Sequence, residues 1–306
     1  MEISKLSKKK SAAERIAQIV FTVCASFTIL AVLSIMVYMI ANGTPALFEV
    51  GIKELLFGTV WKPTAAEPEY GIFYVILTSV VGTFMAILLG VPIGILTAVF
   101  LAEAAPQKLS AIVKPAIELL AGIPSVIYGL LGIMVLNPIM YKIELAVFKD
   151  SQTHQFTGGA NLISAVIVLA VMILPTVINM SETAIRAVHP SMKASSLALG
   201  ATHIQTIFHV ILPAAKSGIL SAVMLGVGRA IGEAMAITLV SGSSVNIPLP
   251  FNSVRFLTTA LVSEMGYASD LHREVLFTIG LVLFVFIMII NVIMERLIKN
   301  GGSNNA

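Results

Sequence analysis

The stretch Ser217–Ser241, SGILSAVMLGVGRAIGEAMAITLVS, is apolar enough to cross a bilayer, yet it carries Arg229 and Glu233. At about 1.5 Å of rise per residue, Arg229 stands roughly 18 Å from either end of this run. A charge at that depth costs between about 3 and 15 kcal/mol, depending on how far water and neighbouring groups relax. Such a residue must face a cavity or a partner, which makes both charges candidate functional groups. Their i, i+4 spacing predicts one helical face and side chains close enough to pair. Gly228, Gly232 and Ala236 recur every four residues. They predict a smooth stripe along which another helix, or a ligand, can approach the backbone.

Composition extends this reading to the whole chain. Of 306 residues, 11% are charged and 57% hydrophobic, with a mean hydropathy of +0.96. A soluble domain carries about 25% charged residues. The chain is therefore a polytopic membrane protein of all-α class. Its one cysteine, Cys24, lies in the first apolar run and excludes an internal disulfide framework or a cysteine metal site.

Six spans are predicted, at about 16–41, 71–102, 119–140, 161–180, 217–241 and 274–294. Together they make one six-span domain over 16–298, between tails 1–15 and 299–306. The first run is too long for a signal-peptide core of about 7 to 15 residues and reads as a retained helix. Asn42-Gly43-Thr44-Pro45 is expected to end it. Pro92 and Pro175 are expected to kink their spans, and Trp61 to anchor the outer interface. Segments 1–15, 103–116, 181–216 and 295–306 hold twelve Lys and Arg residues, against six in the intervening segments. This twofold bias places both termini in the cytoplasm of a cell-membrane protein. The net charge of +3 thus reads as topology, with no nucleic-acid partner implied.

Between the fourth and fifth spans, HPSMKASSLALGATHIQTIFHVILPAAKSG (His189–Gly218) interleaves Leu197, Ile204, Ile207, Phe208 and Ile211 with polar residues. It predicts two short helices joined at Gly200, with Pro213 leading into the next span. Such an amphipathic hairpin can dock in a groove of a soluble partner. His189, His203 and His209 share this loop, but their spacing fits no tight metal site.

Here a resemblance enters. Gly200, nine residues, then Val210-Ile211-Leu212-Pro213 resembles the Glu-Ala-Ala loop of ABC importer permeases, although Ala194, Ser195 and Ser196 stand where that family often has Glu-Ala-Ala. LGVGRAIGEAMAI (Leu225–Ile237) is similar to the signature of phosphate importer permeases, the PstC/PstA pair. AGIPSVIYGLLG (Ala121–Gly132), FGTVWKP (Phe57–Pro63) and LTTALVSEMG (Leu257–Gly266) resemble the PstC side. The resemblance implies a type I (MetI-like) importer permease fold and ATP-driven inward transport of inorganic phosphate by alternating access. It implies a PstA-like partner permease, two copies of a cytoplasmic ATPase that bind the ATP and Mg, and an extracytoplasmic phosphate-binding protein. The substrate path would run by Arg229, Glu233, Gly228 and Gly232. ATPase coupling would fall to Gly200, Ala201, His203, Leu212 and Pro213.

No catalytic constellation competes. The chain contains no G-x-x-x-x-G-K-[ST], and Lys216-Ser217 lacks the phosphate-cradling glycines. It is expected to be no enzyme and to hold no cofactor or metal of its own. Two alternatives stay open: a permease for another oxyanion such as molybdate or sulfate, and a channel or secondary transporter working without an ATPase.

Overall fold

The computed structural model describes the backbone of residues 2–302 and the side chains of residues 14–298. The side chains of Lys5, Lys8, Lys9, Lys10 and Lys299 lie outside the described residues. In chain order the elements are α1 (Glu2–Ala46), α2 (Ile52–Phe57), β1 (Trp61–Lys62), β2 (Glu69–Tyr70) and α3 (Phe73–Val99). There follow α4 (Gln107–Gly122), α5 (Ser125–Leu131), α6 (Asn137–Val147), α7 (Leu162–Arg186) and α8 (Pro190–Ala198). The chain ends with α9 (His203–Thr206), α10 (Leu212–Gly232), α11 (Met235–Val240), α12 (Leu257–Glu264) and α13 (Asp270–Gly302). Among the described residues, six helical runs are long and apolar enough to span a membrane.

The fourth of these, α7, is the hub. Two-thirds of its most apolar window is buried (67%), whereas the window of α1 is not buried at all. The hub fills because small residues on both neighbours let it come close. A Cβ added at Gly94 of α3 would lie 2.8 Å from Val177, and one at Gly226 of α10 also 2.8 Å from Val177. Packing that tight leaves no room for a methyl group. One core surrounds α7, α5 and α11; a second joins Leu55, Ile72, Leu257 and Leu276 at one end; a third joins Leu101, Ile178, Ile185 and Ile211 at the other.

Several boundaries depart from expectation. α1 runs through Asn42-Gly43-Thr44-Pro45 to Ala46 and continues as a π turn, Leu47–Gly51. The polar side chains bond within the helix: the Asn42 amide donates to the Tyr38 carbonyl (2.7 Å) and the Thr44 hydroxyl to that of Ile40 (2.5 Å). Gly43 admits α13, whose Thr278 hydroxyl donates to the Gly43 carbonyl at 2.6 Å. The break comes later, at Gly51, where φ is +89°. The loop expected after the second span contains a sixteen-residue helix, α4, and a break at Ile123-Pro124 separates it from α5. The residue before a proline is pushed out of helical geometry, and Ile123 accordingly has ψ of 127°. Trp61, expected at the outer interface, is half-buried, and its indole N–H donates to the Glu264 carboxylate at 3.1 Å. Finally, the fifth span is not one helix over 217–241. It begins at His203, passes through a π turn at Ile207–Ile211, and stops at Gly232.

Candidate functional site

The stop at Gly232 reorganises the central pair. Glu233 is extended, with φ of −73° and ψ of 126°, so i, i+4 helical spacing no longer relates it to Arg229. No ion pair joins the two. The Glu233 carboxylate turns forward instead and accepts from the Ala236 N–H at 3.1 Å, holding the first turn of α11. The Thr258 hydroxyl of α12 donates to the Glu233 carbonyl at 2.8 Å, occupying an acceptor that a continuous helix would have used internally. The break is thus stabilised from both sides, by its own side chain and by the LTTALVSEMG segment.

Arg229 is half-buried in the last turn of α10. Among the described residues its guanidinium makes neither a hydrogen bond nor an ion pair, while its charge reaches the Tyr128 hydroxyl. Each charge of the pair lies at the helix end that suits its sign. A cation near a C-terminus and an anion at an N-terminus are each favoured by about 0.3–1 kcal/mol. Five unsatisfied N–H donors in a planar fork suit Arg229 to an oxyanion.

A second break faces this one. The hydroxyl of Tyr128, in α5, donates at 2.7 Å to the Leu120 carbonyl, which also accepts from the Ile123 N–H at 3.2 Å, and so ties α5 across the break to the last turn of α4. α5 and the π turn that continues it, Gly132–Leu136, lie directly on α11: a Cβ at Gly129 would come within 2.9 Å of Ala236 Cα, and one at Gly132 within 2.4 Å of Val240. AGIPSVIYGLLG and LGVGRAIGEAMAI are therefore parts of one construction, two interrupted helices crossing beside Arg229. Sequence reasoning quoted both motifs and missed both interruptions.

The glycines divide differently from expectation. Gly228 and Gly232 face open space, with nothing within 4 Å of an added Cβ. They share an exposed face of α10 with Ser221 and Leu225. The helix-packing stripe is Gly218, Ala222 and Gly226, one register over: Gly218 meets Ala184 and Gly226 meets Val177.

The predicted hairpin also changes shape. Gly200, with φ of +88°, makes the turn after α8, and Ala201 follows it. The second arm, from His203, is the start of the fifth span, so Leu212 and Pro213 lie along the same helical run and away from the turn. Pro213 cannot donate to a residue four back, and the π turn just before it absorbs that mismatch. Thr202 and Gln205 form a reciprocal capping box at the start of α9. Leu197, Leu199, Ile204 and Phe208 are all exposed on the hairpin, Leu199 at 89%.

Two further groups were missed by sequence. Glu264, 3% exposed, accepts from Trp61, pairs with Arg255 and meets His272 Nε2 at 2.8 Å. Glu144, fully buried, meets His154 Nε2 at 2.8 Å and accepts from the Thr157 N–H at 2.9 Å. The Tyr70 hydroxyl near the first group is pushed above its usual pKa by burial first and by Glu49 second. Among the described residues, no group of three or more His, Cys, Asp or Glu side chains is placed to hold a metal.

Known proteins place this architecture. The chain is 37% identical over 288 residues to a probable ABC transporter permease protein, YqgH, of Bacillus subtilis, covering 91% of this chain and 90% of that protein. It is 31% identical over 300 residues to the phosphate transport system permease protein PstC of Xylella fastidiosa, covering 94% and 92%. The fold matches a chain of a bacterial alginate ABC transporter solved with a periplasmic protein bound to alginate pentasaccharide. That match has a TM-score of 0.62 at 16% identity and covers 89% of this chain and 92% of the other. The family model for the binding-protein-dependent transport system inner membrane component matches residues 90–300. The resemblance read from the motifs is met, and the chain belongs to the binding-protein-dependent transport system inner membrane component family.

Proposed function

We propose that the chain is the membrane-spanning permease subunit of an ATP-driven importer, and that it moves inorganic phosphate into the cytoplasm by alternating access. The observation that carries this reading is Arg229: a half-buried guanidinium without a protein anion, at a break in the fifth span, beside the open face of Gly228 and Gly232. Its planar fork binds phosphate bidentately and stays protonated. PstC relatives that align along almost the full chain support phosphate as the substrate. Glu233 contributes by holding the break open rather than by neutralising the arginine.

ATP hydrolysis falls to a separate subunit, since the sequence offers no phosphate-cradling loop. Two ATPase copies, carrying ATP and Mg, dock on the Gly200 hairpins of this chain and of a PstA-like partner. The exposed Leu199, Ile204 and Phe208 support that docking. An extracytoplasmic binding protein delivers phosphate to the opposite face, and the Lys and Arg bias puts both termini in the cytoplasm. An ATPase-independent channel would have no use for such a hairpin.

The test is uptake of labelled phosphate by vesicles containing the whole complex, with molybdate and sulfate as competitors. ATP-dependent uptake unaffected by either competitor is expected. Competition by molybdate or sulfate at equal concentration would transfer the assignment to that oxyanion.

A further inference from the structure

α8 buries none of its side chains and contributes no residue to the apolar core at this end of the bundle. Its side-chain attachments are polar. Lys193 reaches Glu103, in the π turn that ends the second span, with Nζ 2.5 Å from Oε2. The Ser196 and Thr206 hydroxyls meet at 2.9 Å. Glu103 has only 10% of its side chain exposed, and its carbonyl lies 3.4 Å from His203 Nε2. A second carboxylate continues the line inward. Glu182 of α7, 2% exposed, takes Arg186 at 2.7 Å and Lys114 of α4 at 3.2 Å. Arg186 also donates to the Leu101 carbonyl at 2.7 Å, two residues from Glu103. α8, the end of the second span, α7 and α4 are therefore tied at one end of the bundle by two buried carboxylates and their cations. Removing one partner of such a pair strands a buried charge. From α4 the line reaches the site, because Tyr128, beside Arg229, bonds to the Leu120 carbonyl.

We propose that Glu103 and Glu182, with Lys193, Arg186 and Lys114, form an ionic relay that couples displacement of the hairpin to movement of the interrupted helices around Arg229. Glu103 is the positioning residue of this relay and does not touch substrate. The inference rests on the ATP-driven transport function proposed above. Charge pairs suit the task because they reach α8, which adds no residue to the apolar core joining the end of the second span, α4 and α7, and the low exposure of both carboxylates limits screening by salt.

The experiment measures ATP hydrolysis and phosphate uptake in the same vesicles, each holding the complete complex. Wild type is compared with Glu103→Gln, Lys193→Gln, Lys193→Arg and the exchange Glu103→Lys with Lys193→Glu. Each single neutralisation is expected to leave hydrolysis in place and to lower phosphate taken up per ATP by about tenfold, within the usual range of coupling between sites. Lys193→Arg and the exchange are expected to recover most of the ratio. A wild-type ratio in both neutralised variants would overturn the relay, and so would an exchange that stays as uncoupled as the single variants. If Glu103→Gln fails to assemble, Lys193→Gln decides alone, since it alters only the more exposed partner. Absence of ATP-dependent uptake in wild type would contradict the transport function itself, whereas unchanged ratios in the variants contradict only the relay.

Discussion

At the scale of residues, the structure exchanges an ion pair for two separately satisfied charges. Arg229 rests at the C-terminal end of one helix and Glu233 holds the first turn of the next. On this arrangement Glu233 needs an acceptor oxygen rather than a negative charge. Glu233→Gln is expected to keep uptake near wild type, while Glu233→Ala loses a cap worth about 1 kcal/mol and lowers uptake. Equal loss in both variants, measured in assembled complexes, would restore the charge to the mechanism. The glycines give a second contrast. Gly226→Val forces a side chain against Val177 and is expected to destabilise the chain by about 1–3 kcal/mol, read as a lower Tm in detergent. Gly228→Ala meets open space within the chain and should leave the Tm unchanged. The sequence marked Arg229 and Glu233 through their cost in an apolar run. It could not tell which glycines pack, because a four-residue spacing in one register looks the same as in the next. The pairings of Glu103 with Lys193, Glu182 with Lys114 and Glu264 with Arg255 were also invisible, since these partners lie 90, 68 and 9 residues away and only the fold brings them together; the Glu182–Arg186 pair, four residues apart on α7, is the local exception.

At the scale of elements, the interruptions matter most, and hydropathy smooths them away. Gly232, Glu233 and Ala234 are too few to break an apolar run, and the break is held by Thr258, a residue 25 positions along the chain. The Ile123-Pro124 break has a local cause, the restriction a proline puts on its predecessor, yet it fell inside the expected third span because the flanking residues of AGIPSVIYG are as apolar as a continuous helix. The opposite error occurred at Asn42–Pro45, where strong stop signals were overridden by bonding within the helix and by close approach of α13. α4 escaped notice because Lys108, Lys114, Pro115 and Glu118 read as a polar loop. The Gly200 turn was legible, since its left-handed conformation costs another residue about 1–2 kcal/mol. Gly200→Val is therefore expected to distort the hairpin and uncouple hydrolysis from uptake, with the protein still in the membrane. Wild-type uptake per ATP in that variant would remove the hairpin from the coupling mechanism.

At the scale of the whole molecule, membrane class followed from charge content alone, and the six helical spans from the spacing of apolar runs. The resemblance came from motifs dispersed over the chain, two of which, AGIPSVIYGLLG and LGVGRAIGEAMAI, the fold brings together in the core around α7. The partner chains were beyond direct reading; the exposed face of α10 and the exposed hairpin are the surfaces that call for them. The central claim is that Arg229 is the anion contact of the transport path. The measurement that tests it most directly is ATP-dependent uptake of labelled phosphate by the assembled complex, with Arg229→Gln beside wild type and assembly verified for both. The expected result is loss of uptake in an intact complex. Normal uptake by Arg229→Gln would contradict the account and move the phosphate site to other residues or to the partner permease.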